Sequence, residues 1–211
     1  IPGLVMVHEH LYYPVGAGTY GNLTESFSRL YLAGGVTSMQ ILPGSANLVG
    51  GRSVILKNVP SLTAQGMKFP DAPYGIKMAC GENPKRVYGG RGRMPSTRMG
   101  NLAVNRETWL GAIDYANNPD AKRDLGKETL VGVLKGEILV HNHCYRADEM
   151  ALVMDMAKEM GYKVSTFHHA VEAYKIGDLL RENDVCSAIW ADWYGFKMES
   201  YDGILENAAF L

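Results

Sequence analysis

Six histidines, grouped in three pairs, are the residues of this sequence best suited to do chemistry. His8 and His10 flank Glu9, His141 and His143 flank Asn142, and His168 and His169 are adjacent. Side chains alternate along a β-strand, so an H-x-H pair on a strand puts two imidazoles on one face, about 7 Å apart along the backbone. Neutral imidazoles so placed can share a cation. One such pair is a weak sign, because a surface pair or a tag has the same spacing. The set is stronger, since all six histidines fall at the ends of three predicted strands, residues 4–8, 138–142 and 163–167, and nowhere else. A binuclear hydrolytic centre needs several imidazoles converging from different strands in this way. Lys77 lies within a further predicted strand, between Ile76 and Met78. An ammonium in a buried sheet is costly unless it is paired or chemically altered. If Lys77 faces inward it could meet a carboxylate, or be carbamylated and bridge two metals; a paired or snorkelling lysine is the plain alternative.

The elements that must position these groups follow from the pattern between them. Apolar, β-rich runs are expected as strands at 4–8, 36–42, 53–59, 74–79, 138–142, 163–167 and 185–190, alternating with helical patterns, the signature of βα units and a parallel sheet. The clearest helix follows the fifth strand, where Ala147, Met150, Ala151, Met154 and Ala157 share a face and Gly161 supplies the stop. A second is expected at 173–181 and a third at 200–211. Residues 81–101, rich in Gly, Pro and Arg, read as a long aperiodic loop. Seven such strands fit a (β/α)8 barrel or an open doubly wound sheet, and in both, ligands gather at the carboxyl ends of the strands, where the histidines stand. Gly16 to Gly21 match G-x-G-x-x-G, but no strand directly precedes them, so a dinucleotide site is not expected. Pro43 to Asn47 and Gly50-Gly51 read as a tight loop after a strand, able to shape a pocket.

Composition narrows the classes. The 211 residues are 46% hydrophobic and 20% charged, with net charge −1, so no overall field favours nucleic acid or an anionic membrane. The one basic cluster, Lys85, Arg86, Arg91, Arg93 and Arg98, suits a solvated or substrate-facing loop. No apolar run is long enough to span a membrane. Three widely spaced cysteines, Cys80, Cys144 and Cys186, argue against a disulfide framework and against a cysteine-based zinc knuckle. Asn22-Leu23-Thr24 fits a glycosylation sequon, a triplet common by chance.

Ile1-Pro2-Gly3-Leu4-Val5 followed by His8-Glu9-His10 resembles the first barrel strand of the amidohydrolase superfamily. Residues 35–38, 43–51, 77–86, 97–100 and 141–149 resemble its imidazolonepropionase-related branch, which includes Xaa-Pro and Xaa-Arg dipeptidase-like enzymes. The resemblance covers nearly the whole chain. It implies an α/β fold, a TIM-like (β/α)8 barrel of the metal-dependent hydrolase type, here incomplete with strands 1 to about 7, as one domain over residues 1–211 truncated at both ends. It implies one or two divalent cations, Zn2+ foremost, held by His8, His10, Lys77, His141 and His169, with His143, Arg146 and Tyr174 as substrate contacts. The implied activity is hydrolysis of a C–N bond, an amide or cyclic amide of a small molecule or dipeptide, by a metal-activated water. There are two departures. Met6 stands where the family has Asp, and the eighth-strand aspartate that shuttles the proton is not found. Asp192 is no obvious replacement, and Glu172 and His143 are weak stand-ins. The chain is therefore expected to hold metal without being a competent catalyst alone. The alternative is a non-catalytic metal-binding barrel fragment that needs a partner segment. A homo-oligomer is expected, without nucleic acid or membrane partners. A cytoplasmic location is favoured, with periplasm or secretion left open.

Overall fold

The computed structural model describes residues 3–10 and 31–211. The glycine motif at 16–21 and the sequon at 22–24 lie outside the described residues. All seven expected strands form: β1 (Leu4–Glu9), β2 (Val36–Ile41), β3 (Val49–Lys57), β4 (Tyr74–Ala79), β5 (Ile138–His143), β6 (Val164–His168) and β7 (Cys186–Ala188). They hydrogen-bond side by side in chain order. The expected all-parallel sheet is corrected to a mixed one. β1 and β2 are parallel, and so are β4 to β7, whereas β3 runs antiparallel to both its neighbours. Only residues 42–48 join β2 to β3. A parallel crossover needs a dozen residues or more, so this short link turns the chain back on itself. Gly50 and Gly51 accordingly belong to β3 and not to a loop.

The sheet curls until β1 returns towards β6, where His8 Nδ1 comes within 2.7 Å of His168 Nδ1. The result is an α/β fold with a nearly closed seven-strand sheet, compatible with part of a TIM-like barrel. Seven helices accompany the sheet among the described residues: α1 (Ala64–Met67), α2 (Glu82–Gly89), α3 (Arg98–Asn117), α4 (Leu125–Leu134), α5 (Ala147–Met160), α6 (Gly177–Glu182) and α7 (Asn207–Phe210). The periodicity of α5 becomes a packed face. Met150, Val153, Met154, Met156 and Ala157 are buried with Ile76, Val140 and Phe167 of the strands, and Gly161 takes the left-handed φ of 79° that ends the helix.

Other expectations are corrected. The supposed loop at 81–101 contains α2 and the start of α3. Pro84 falls in the first turn of α2, where no backbone N–H is needed, and Thr97 Oγ1 caps α3 by accepting from Gly100 N at 2.9 Å. The expected helix at 173–181 is split into a 3-10 turn, Ala173–Ile176, and α6. The one at 200–211 shrinks to a 3-10 turn, Met198–Ser200, and α7, separated by a stretch holding Asp202-Gly203, both poor helix formers.

Cys80 and Cys144 form a disulfide, against the expectation from their number and spacing. They directly follow the paired residues Ala79 of β4 and His143 of β5, and Cys80 N donates to His143 O at 2.8 Å. Parallel register brings the two Cα atoms to 5.2 Å, a separation suited to a bridge that spacing along the chain does not reveal. No helix of the described residues is long and apolar enough to cross a membrane.

Candidate functional site

The six histidines stand at or just past the carboxyl ends of their strands: His8 in β1 with His10 directly after it, His141 and His143 in β5, His168 closing β6 with His169 directly after it. Register aligns Lys77 with His141, and His143 with His168. Two glycines make the approach of these groups feasible. A Cβ on Gly75 would lie 2.7 Å from His141 Cδ2, and one on Gly50 would lie 2.9 Å from the Lys77 carbonyl oxygen. Consecutive strand residues should face opposite ways, yet both sixth-strand histidines meet His8, with ring centroids 4.7 Å (His168) and 4.6 Å (His169) away. His169 achieves this in the left-handed region, at φ 65°, a conformation that non-glycine residues hold only where the surroundings impose it.

Four rings join in one hydrogen-bonded row. His10 Nδ1 lies 2.6 Å from Leu42 O, His10 Nε2 3.0 Å from His8 Nε2, His8 Nδ1 2.7 Å from His168 Nδ1, His168 Nε2 3.0 Å from His141 Nδ1, and His141 Nε2 2.8 Å from Gln40 Nε2. Its direction follows from the ends. A carbonyl only accepts and an amide nitrogen only donates. Hence His10 donates from Nδ1 to Leu42, His8 from Nε2 to His10, His168 from Nδ1 to His8, His141 from Nδ1 to His168, and Gln40 to His141. Each neutral ring has one donor and one acceptor, so a single set of tautomers satisfies every contact.

Burial keeps these rings neutral. It pushes His141 down to about 4, His168 to about 2 and His169 to about 3, and moves His8 and His143 far below the ordinary histidine range. His10 is lowered by burial against the opposing pull of the Leu42 carbonyl. Lys77, 1% exposed, is pushed down to about 7 by burial. Its Nζ donates to Pro43 O at 3.2 Å, and no carboxylate among the described residues pairs with it.

The donor set has the chemistry a divalent cation requires, namely buried neutral imidazoles. Among the described residues, however, no three His, Cys, Asp or Glu side chains form a ready-made metal-binding group. The ring nitrogens sit at hydrogen-bonding separations, shorter than the roughly 3.3 Å between ligands of a tetrahedral zinc. Only a few tenths of an ångström divide the two arrangements. His10 is already held as a zinc-binding imidazole would be, Nδ1–H on a carbonyl and Nε2 facing its partner.

His143 is buried against the cluster, 4.7 Å from His169 between ring centroids, with Asn83 Nδ2 3.4 Å from its Nε2. Its Nδ1 has no hydrogen-bond partner. Arg146 and Tyr174, expected beside it, are engaged elsewhere: Arg146 pairs with Asp148 at 2.9 Å, and Tyr174 donates its hydroxyl to Asp202 O at 3.0 Å. Glu172 accepts from Ala147 N at 2.9 Å and pairs with Lys175 at 3.5 Å, which commits it to holding the start of α5. Beside His10 opens a cleft of about 380 Å³ lined by Gly44, Ser45, Asn83 and Arg86, so the loop after β2 does shape a pocket.

Sequence reasoning overlooked Gln40 and the Leu42 carbonyl, counted His168 in the histidine set without giving it a ligand's role, and gave Trp190 no contact with a histidine. The adjacent histidine pair signalled that either member could turn inward; Gln40 and Leu42 carry no such signal. Trp190, just beyond β7, donates from Nε1 to His169 Nδ1 at 2.7 Å.

No family model matches the chain. It is similar to "Amidohydrolase tasK" of Hapsidospora irregularis, 33% identical over 201 residues, covering 81% of this chain and 20% of that protein. It is also similar to a crystal structure of an amidohydrolase from Thermotoga maritima MSB8, with TM-score 0.85 and 32% identity, covering 100% of this chain and 62% of that one. The chain thus spans a fifth of the curated relative and under two thirds of the solved one. Both likenesses, one in sequence and one in backbone, support an amidohydrolase-type family.

Proposed function

We infer that the chain is the metal-binding part of a hydrolase that cleaves C–N bonds, amides or cyclic amides. The carrying observation is the convergence of imidazoles from β1, β5 and β6 on a buried lysine of β4. Held there, one or two divalent cations, Zn2+ foremost, would lower the pKa of a bound water and polarise the scissile carbonyl. His8 and His10 would hold a cation through their facing Nε2 atoms, with Lys77 and His141 beside them. The family resemblance gave the sixth-strand ligand as His169; the contacts favour His168, whose nitrogens face His8 and His141. His143 keeps its role as a substrate contact, since its buried Nδ1 can donate to a bound carbonyl. Arg146 and Tyr174 would have to leave their present partners to join it.

The sequence motifs favour a small-molecule or dipeptide substrate of the imidazolonepropionase-related and Xaa-Pro dipeptidase-like kind, and a homo-oligomer. Metal analysis of the gently purified protein tests the reading. About one or two equivalents of zinc, manganese or iron, lost in a His8→Ala, His10→Ala double variant, is the expected result. Less than about 0.2 equivalents in the native protein, well below what ordinary structural-site affinities give, overturns it.

A further inference from the structure

A cavity of about 130 Å³ lies between α3 and α5, beside the end of β4, and neither Lys77 nor any histidine lines it. Leu48, Leu102, Leu152 and Val153 give it apolar walls. Three polar side chains among its lining are not explained by hydrophobic packing. Asn101 and Asn105 stand four residues apart on α3, hence on one face, and are 4% and 3% exposed. Neither carbonyl oxygen has a hydrogen-bond partner among the described residues. Asn101 donates its amide to Gly81 O at 2.9 Å, so the oxygen is its free end. A buried acceptor without a donor is costly, and two on one helix face call for a reason.

Glu149, the third, is 8% exposed in the first turn of α5. Arg98 Nε meets its Oε2 at 3.2 Å, but the same guanidinium reaches Glu199 Oε2 at 3.0 Å. One cation is thus divided between two carboxylates. Burial pushes the Glu149 carboxyl up, against the pull of Arg98. The cavity therefore gathers two neutral acceptors and one anionic acceptor beside an apolar wall. A primary ammonium carries three N–H donors and no acceptor, the matching count. Cavities of roughly 150 Å³ hold a benzene ring, so there is room here for about five or six heavy atoms.

We propose that this cavity binds a small primary amine as its ammonium ion. The N–H groups meet Asn101 Oδ1, Asn105 Oδ1 and the Glu149 carboxylate, and a chain of about four carbons lies against the leucines and Val153. The site is separate from the histidine cluster and does not depend on metal or on hydrolysis.

Titrating n-butylammonium chloride at pH 7 into protein with 13C-labelled leucine and valine methyls tests this. Saturable shifts at Leu48, Leu102, Leu152 and Val153 are expected, with a Kd of about 1 mM or tighter. n-Butanol has a similar chain but one neutral donor, and should bind about tenfold more weakly. Tetramethylammonium, a cation without N–H groups, should not bind. Asn105→Leu and Glu149→Gln should each weaken n-butylammonium about tenfold. No saturable shift by about 20 mM, well past saturation for such an affinity, would overturn the proposal. So would n-butanol or tetramethylammonium binding as tightly as the amine, or shifts confined to methyls outside the cavity. Those outcomes use the native protein and decide even if a variant fails to fold; native affinity in both folded variants would overturn it as well.

Discussion

Burial of Lys77 beside His141 sets an energetic problem at the level of single residues. An amine with one carbonyl partner and, among the described residues, no carboxylate destabilises the metal-free fold. Lys77→Met should therefore raise the stability of the metal-free chain at pH 7, by about 1–3 kcal/mol, while weakening metal uptake. A lower urea midpoint for the variant would show that the amine is satisfied in some other way. The histidines give a pH dependence of definite sign. Unfolded, they titrate near 6.5, whereas in the fold His141 titrates at about 4, His169 at about 3 and His168 at about 2. Between those values the unfolded chain binds protons that the folded one refuses. Stability of the metal-free chain should accordingly fall as pH drops from 6.5 towards 4, by up to about 1.4 kcal/mol per pH unit for each imidazole. Thermal melts across pH 7 to 4 measure it, and a flat profile would contradict the burial of the rings. The histidines were legible in the sequence because strand ends announce themselves. The partners that orient them were not, since Gln40 lies 101 residues from His141 and Leu42 lies 32 from His10, joined only through the closed sheet.

Among the elements, the join between β4 and β5 carries a covalent tie beside the site. The Cys80–Cys144 bridge closes a loop across a separation of 64 residues. Chain entropy alone makes such a closure worth about 4 kcal/mol. Cys144→Ser should lower the unfolding free energy by about that amount under non-reducing conditions and by almost nothing under strong reductant, as read by urea titration. Equal losses in both would mean that the thiol packs but does not bridge. A bridge of this kind persists in oxidising compartments and is opened by strong reductant. The strands themselves were readable from β-branched runs. The reversal at β3 depended on how short a link could be, and α3 was hidden by its own inner face, which buries Asn101 and Asn105 with Trp109 and so has no clean apolar period.

On the scale of the whole molecule, β1 and β7 face each other without hydrogen bonds, across a cleft of about 140 Å³ lined by Met6, Val7, His8, Ala188, Ile189 and Trp190. On β1, Leu4, Val5 and Val7 are 60%, 66% and 55% exposed. An unpaired apolar edge with little net charge to repel its copies invites pairing. The 211-residue chain expressed alone should self-associate with rising concentration in light scattering, and Val5→Lys should suppress it; a monodisperse monomer at all concentrations would exclude edge pairing.

The row of imidazoles has one more property. It departs from Leu42, just after β2, crosses β1, β6 and β5, and returns to Gln40 within β2. The donors point the same way round throughout, so the bond dipoles form a circuit that comes back to the strand where it began. Dipoles arranged head to tail around a circuit largely cancel. The interior they enclose is rich in nitrogen lone pairs yet carries little standing field of its own, and beside it burial pushes the Lys77 amine down to about 7.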